Sequence, residues 1–207
     1  MNHLIIFPYV IKAGDTFFKL SKQQNISLNE LLLVNPGINH DNITIGQVIN
    51  LPINNQVAFA KVIGGPLRPQ IEGIINFFQV PDGTFVCAEI TGLPPYQSAT
   101  NGKDPIGPHG FHIHEFGNCE VGDPQDFFRA AGGHWNPTNE PHGNHAGDFP
   151  VLFSNQGYAY MCFFTNKFKP EHVVGKSVII HQNPDDYRTQ PAGASGKRLA
   201  CGLIQKA

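Results

Sequence analysis

The stretch Gly110-Phe111-His112-Ile113-His114-Glu115-Phe116-Gly117 reads as a β-strand bounded by glycines. Side chains alternate faces along a strand, so His112 and His114 point one way and Phe111 and Ile113 the other. One face is apolar and suits a core. The other carries two imidazoles within reach of a single metal ion. Taken alone, His-x-His also fits a pair of core or surface histidines, so the flanking sequence decides its meaning.

Outward from this strand, the chain beyond residue 58 consists of short alternating runs separated by Gly and Pro, at 59–63, 72–79, 84–91, 110–115, 158–165 and 178–181. Strands at this spacing predict a β-sandwich or barrel. The 22 Gly and 17 Pro are scattered without a short period, which fits many turns. The 207 residues allow one ordinary domain and a small one. Charged residues make up 14%, below the roughly 25% usual in soluble proteins, and the net charge is −2. No basic run is present, so nucleic acid is not an expected partner. No apolar run reaches the ~18 residues of a membrane span. The run Leu4 to Phe7 lacks the basic flank and small-residue cleavage site of a secretory signal, and none is expected there.

Residues 9–52 follow a different pattern: strand, helix, helix, strand. Residues 9–12 are β-rich, Gly14-Asp15-Thr16 form a turn and helix start, and 17–24 place apolar residues at helical spacing. Ser27-Leu28-Asn29-Glu30 fits a capping box, with the Ser oxygen accepting an orphan N–H while the Glu reaches back. Leu28, Leu31 and Leu32 share one face, Pro36-Gly37 stops the helix, and 46–52 return as a strand.

Six of the ten histidines (His109, His112, His114, His134, His142 and His145) fall in one 37-residue window. The run His142-Gly143-Asn144-His145-Ala146-Gly147-Asp148 sets three donors on a glycine-rich loop, and three imidazoles with a carboxylate suit tetrahedral zinc. His181 ends an apolar strand, and a tetragonal all-nitrogen set favours Cu(II). His3, His40 and His172 have no neighbours of the right type and read as solvated. Cys87, Cys119, Cys162 and Cys201 allow three pairings, and spacing does not choose among them.

The order Tyr9-Val10-Ile11-Lys12-Ala13-Gly14-Asp15-Thr16, Asn35-Pro36, Ile45-Gly46-Gln47 and Leu51-Pro52 resembles a LysM module. That resemblance implies a βααβ fold binding an N-acetylglucosamine-containing glycan, peptidoglycan or chitin. Its shallow site would lie between Gly14, Asp15, Thr16 and Phe17 on one loop and Asn35 and Pro36 on the other. Asp15 and Thr16 fit a helix cap equally well.

The runs Gly73-Ile74-Ile75-Asn76-Phe77, Gly110 to Gly117, His134 to Pro137, His145 to Asp148, and Gly196-Lys197-Arg198-Leu199-Ala200-Cys201-Gly202 resemble the copper/zinc superoxide dismutase family. The resemblance covers about residues 58–207. It implies a mostly β chain, an eight-stranded Greek-key β-barrel (an immunoglobulin-like sandwich) with its metals held outside by long loops. Copper would be bound by His112, His114, His134 and His181, and zinc by His134, His142, His145 and Asp148, so that His134 is shared. Arg198 would stand beside the open copper face and attract the anion. Asp185 would join the two metal sides through their histidines, His109 would brace a loop, and Cys119 and Cys201 would form the disulfide. Two departures stand out: only two residues separate His142 from His145, far fewer than in many family members, and the stretch from His181 to Arg198 is short.

The implied organisation is a LysM module at 9–52, a linker at 53–57 and a dismutase domain at 58–207. The implied function is conversion of superoxide to dioxygen and hydrogen peroxide, tethered to wall or spore glycan. The second reading is a metal-binding envelope or coat protein of the same fold with little turnover, which the crowded zinc loop and the short stretch from His181 to Arg198 keep open and the four copper-type histidines with Arg198 argue against. A disulfide and a wall-binding module point to an extracellular, cell-envelope or spore-surface location. By strand alternation Cys87 shares an outward face with Glu89, and Cys162 shares one with Tyr158, Tyr160 and Phe164. The family's strand order pairs these two strands, leaving the cysteines as a bond or as paired thiols. The outward aromatics predict a contact with the LysM module or with another subunit in a homo-oligomer.

Overall fold

The computed structural model describes residues 5–100, 102 and 104–207; His3 and Leu4 lie outside them. Strands β1 (Ile5–Val10) and β2 (Val48–Ile53) pair antiparallel from Ile5↔Ile53 to Val10↔Val48. β1 starts earlier than the β-rich run at 9–12, because Ile5 and Phe7 continue the ladder opposite Ile53 and Leu51. Helices α1 (Phe17–Gln23) and α2 (Leu28–Leu33) join the same small core through Leu20 and Leu31, both fully buried. Thr16 caps α1, its hydroxyl accepting from Lys19 N at 3.1 Å. Ser27 and Glu30 form the expected capping box on α2, with bonds of 3.1 and 2.8 Å.

Only Asn54 and Asn55 separate β2 from β3 (Gln56–Gly64). The large sheet continues with β4 (Glu72–Val80), β5 (Gly83–Thr91), β6 (Phe111–His114), β7 (Ala159–Thr165), β8 (Ser177–His181) and β9 (Arg198–Lys206). Its order is β6-β8-β9-β3-β4-β5-β7, so the consecutive strands β5 and β6 lie far apart, as a Greek key requires. Beyond β6, segment 148–152 adds the bridges His109↔Leu152 and His112↔Asp148 and takes the eighth place. Ile75, Phe77, Val86, Phe111, Ile113 and Val178 are fully buried in the barrel core, each contributing on the order of 1.5–3 kcal/mol.

The outer face of β4, β5 and β7 carries the small module. Phe7 packs on Phe85 and Phe164, with ring centroids 5.6 Å apart in each case. Phe78, Val80 and Cys87 share one buried cluster with Phe7 and Ile53, and Lys12 pairs with Asp82. Cys87 and Cys162 are direct register partners on β5 and β7 and form a disulfide beneath the module. The outward aromatic row divides: Phe164 meets the module, whereas Tyr158 and Tyr160 remain 41% and 58% exposed.

Cys119 and Cys201 form the second disulfide, 82 residues apart in sequence, tying the loop after β6 to β9. Closing a loop of that length constrains the unfolded chain by about 4–5 kcal/mol in the chain-entropy picture. Peptide mapping of unreduced protein is expected to return Cys87–Cys162 and Cys119–Cys201 alone. Urea unfolding of Cys119→Ala/Cys201→Ala should show a stability loss of about 4 kcal/mol.

Candidate metal centre

The geometry begins at β6. His112 and His114 leave its outer face while Phe111 and Ile113 fill the core, yet loops bury both imidazoles. The loop carrying His134 and Asp148 is stitched to the strand through one residue. Ile113 N donates to Gly147 O at 2.9 Å, Trp135 N donates to Ile113 O at 2.8 Å, and Gly147 N closes back to Trp135 O at 3.0 Å. A Cβ on Gly147 would lie 2.5 Å from Ile113 O, so only glycine allows this approach. His181 ends β8, and the register sets Arg198, at the head of β9, opposite it.

Two donor sets result. His112, His114, His134 and His181 offer nitrogens within 4.8 Å of one another, and the nitrogens of His134, His142 and His145 lie equally close to one another and to an Asp148 oxygen. His134 belongs to both sets, and its ring stacks on His112 at 3.9 Å. The structure therefore brings together all seven residues read from the sequence as ligands. The short His142–His145 spacing does not keep either ring out of the cluster.

The rings of His112, His114, His142 and His181 each commit one nitrogen to a protein acceptor. His112 Nε2 donates to Asp185 Oδ2 at 2.7 Å and His142 Nε2 to Asp185 Oδ1 at 2.8 Å. His114 Nδ1 donates to Gly132 O at 3.0 Å and His181 Nδ1 to Gly196 O at 3.4 Å. The Nε2 atoms of His114 and His181 then face each other across 3.3 Å as two lone pairs. The Nδ1 atoms of His112, His142 and His145 are buried without a hydrogen-bond partner. Those of His142 and His145 come within 3.3 Å of an Asp148 oxygen without hydrogen-bond alignment. Converging bare nitrogens beside a carboxylate are costly in a protein interior unless a cation satisfies them, so the residues present fit copper and zinc.

Burial holds His112 well down, to about 4, against the opposing pull of Asp185, and burial likewise lowers His114 and His181. These rings are neutral at neutral pH, the form a metal needs. Burial raises the Asp185 carboxyl, but the bonds from His112, His142 and Tyr187 N outweigh it and hold it at about 2. Burial also raises Asp148, and the His134 bond with the neighbouring histidines brings it below the usual carboxylate range.

Arg198 is half-buried and directed by two carbonyls, Phe128 O at 2.6 Å and Gly132 O at 2.8 Å. Gly132 O therefore accepts from both Arg198 and His114. His109 is fully buried and donates from Nδ1 to His181 O at 2.8 Å, a brace and not a ligand. Lys197, His40 and His172 are exposed, and Trp135 packs edge-on against Phe168. Sequence reasoning missed Tyr187, Gln190 and Gly193. Tyr187 N bonds Asp185 Oδ1 at 2.6 Å, Gln190 Oε1 accepts from His142 N at 2.9 Å, and a Cβ on Gly193 would collide with Asp185. Their only sequence signal is proximity to Asp185.

In the small module, most side chains expected at a glycan site are already engaged. Asp15 accepts from Tyr9 OH and Lys12 N, Thr16 caps α1, and Phe17 is in the core. Asn35 is buried, bonding Leu31 O and both backbone groups of Asn50. Gly14 and Pro36 are exposed, so these loops offer a ligand mainly backbone.

The family model described as copper/zinc superoxide dismutase (SODC) matches residues 71–204, and the LysM domain model matches residues 9–52. A superoxide dismutase [Cu-Zn] of Deinococcus radiodurans is 39% identical over 153 residues, covering 66% of this chain and 78% of that relative. One from Legionella pneumophila is 34% identical over 173 residues, covering 79% of this chain and 96% of the relative. An extracellular superoxide dismutase [Cu-Zn] of Rattus norvegicus is 29% identical over 150 residues, covering 67% of this chain and 57% of the relative.

A histidine whose folded pKa is depressed contributes stability that is complete above its unfolded value and is lost as pH falls toward the folded value. For His112 that window runs from about 6.5 down to about 4. The metal-free protein should therefore lose unfolding free energy on the order of 3 kcal/mol through His112 between pH 7 and 4. Chemical unfolding of metal-free His112→Asn across that range should show a shallower pH slope than the parent.

Proposed function

The chain belongs to the copper/zinc superoxide dismutase family, and on that premise we propose that His112, His114, His134 and His181 hold copper while His134, His142, His145 and Asp148 hold zinc. The protein is an oxidoreductase that uses both metals and converts superoxide to dioxygen and hydrogen peroxide. In this reading residues 9–52 form the LysM module, 53–57 the connector and 58–207 the catalytic domain. The observation that carries the ligand assignment is the convergence of two buried donor sets on His134, with the outward nitrogens of His112, His114 and His142 bonded to protein acceptors.

Bound copper and zinc supply a one-electron redox couple and a fixed positive charge. The chain's own groups prepare the site for them. Asp185 fixes the rings of His112 and His142, one on each metal side, so neither can rotate its bare nitrogen away. His134 Nδ1 faces Asp148 at 3.0 Å, which holds the shared ring in place between the two donor sets. Arg198 keeps its charge at any working pH, and its two carbonyl bonds aim it beside His181 and His114. A fixed cation at the entrance raises the encounter rate of a small anion even on a chain of net charge −2. A coat protein with little turnover needs no oriented arginine, so this feature favours the enzyme over a metal store.

The LysM module gives the protein a glycan partner. We place that glycan on a cell wall or spore layer, as peptidoglycan or chitin, outside the reducing cytoplasm. Two disulfides support an oxidising setting, and one relative is named extracellular. No helix among the described residues is long and apolar enough to cross a membrane.

Protein reconstituted with copper and zinc should dismutate superoxide, and His112→Ala should lose at least a hundredfold in rate at equal protein concentration. Equal rates would overturn the enzymatic assignment of this site. Separately, Asp185→Asn puts an amide N–H against a ring N–H and should weaken metal retention about 10–100-fold, read by competition with a chelator.

A further inference from the structure

The outer face of the barrel sheet is covered unevenly. Phe7 and Ile53 cover the end that holds Phe85 and Phe164, while Tyr158, Tyr160 and Ile63 stay exposed toward the other end. At the edge of the covered part lies a hollow of about 480 Å³ lined by Tyr158, Tyr160, Glu89, Asn76 and Ile5. Ile5 belongs to β1 of the LysM module and the rest to the barrel, so the hollow is a joint product of both. Tyr158 also lines a second hollow, of about 840 Å³, with Tyr96, Gln70, Gln97 and Gln156.

The chemistry of this surface is specific. Tyr160 on β7 and Tyr158, the residue just before that strand, lie two positions apart, about 7 Å at strand rise, and both line the hollow. The Tyr158 hydroxyl donates to Glu89 at 3.2 Å, which orients its ring. Among the described lining residues of the two hollows, only Glu89 and Arg68 are charged. Flat aromatic faces match the C–H faces of pyranose rings. Side-chain amides both donate and accept, as sugar hydroxyl and acetamido groups require.

We infer that this seam is a second glycan-contact surface, taking an N-acetylglucosamine-containing chain of the class the LysM module binds. The choice of ligand rests on the LysM reading. The seam is built on rigid strands and stands apart from the Gly14 and Pro36 loops of the module. It gives the polymer a contact on the dismutase barrel itself.

The test is an NMR titration of the full chain with the N-acetylglucosamine hexamer, with solubilised peptidoglycan strands as a second arm to identify the natural source. Two groups of amides should shift, one around Gly14 and Gly37 and one around Gln156, Tyr158 and Tyr160. Tyr158→Ala/Tyr160→Ala should abolish the second group, with at least a tenfold loss of affinity there and less than a twofold change at the LysM loops. Tyr158→Phe/Tyr160→Phe keeps both rings and should retain the seam response to within about threefold. Shifts at the LysM loops alone would overturn the seam and leave the module's role intact; shifts at neither would overturn both. Seam shifts that track protein concentration without sugar, with sedimentation as a dimer, would make the surface a subunit contact and also overturn it.

Discussion

One buried carboxylate organises the rest of the site. Asp185 has no solvent of its own and gives one oxygen to His112 and the other to His142. Because each ring must donate its Nε2 proton to that carboxylate, each must leave Nδ1 bare, and both bare atoms turn toward the donor sets. A single side chain thus sets the protonation pattern on both sides of His134. The surroundings secure Asp185 in turn. Tyr187 N bonds it, and Gly193 leaves the space that any side chain would fill. The loop between β8 and β9 thereby shapes both donor sets although it supplies no ligand between His181 and Arg198.

The second organising element is the Ile113 backbone. Its N–H and C=O hold the two ends of the loop that carries His134, His142, His145 and Asp148. The same strand that orients His112 and His114 by alternation therefore also anchors the other donor set. The disulfide from Cys119 to Cys201 anchors the remaining loop, whose Phe128 and Gly132 carbonyls hold Arg198. Strand register, loop closure and side-chain tautomers are coupled, and no ligand is positioned by a single local rule.

Much of this was legible in the sequence because period-two alternation is strong. His112 and His114 share a face, and Cys87 and Cys162 come out as outward-facing register partners. The capping box at Ser27 and Glu30 formed as read, since it depends on four adjacent residues alone. What stayed hidden depends on contacts across the chain. β9 gives a poor strand signal, with Gly202 in its middle, and is fixed by β3 and β8 on either side. Tyr187, Gln190 and Gly193 act through Asp185 and His142, and nothing in their local sequence marks them. Asp15, Thr16 and Asn35 look like ligand contacts by motif, yet most of their hydrogen-bonding capacity is used inside the module.

Between β2 and β3 only Asn54 and Asn55 are free of strand, a reach of about 10 Å at full extension. A connection that short cannot act as a leash. With Phe7 seated on the barrel, whatever the small module grips is held at a fixed offset from the catalytic mouth. A reactive oxyanion decays as it diffuses, so the useful volume of such an enzyme is a thin shell around its anchor. On the glycan anchor proposed above, such an enzyme guards a surface and not a compartment: its protective effect should scale with the number of copies laid per unit area of polymer.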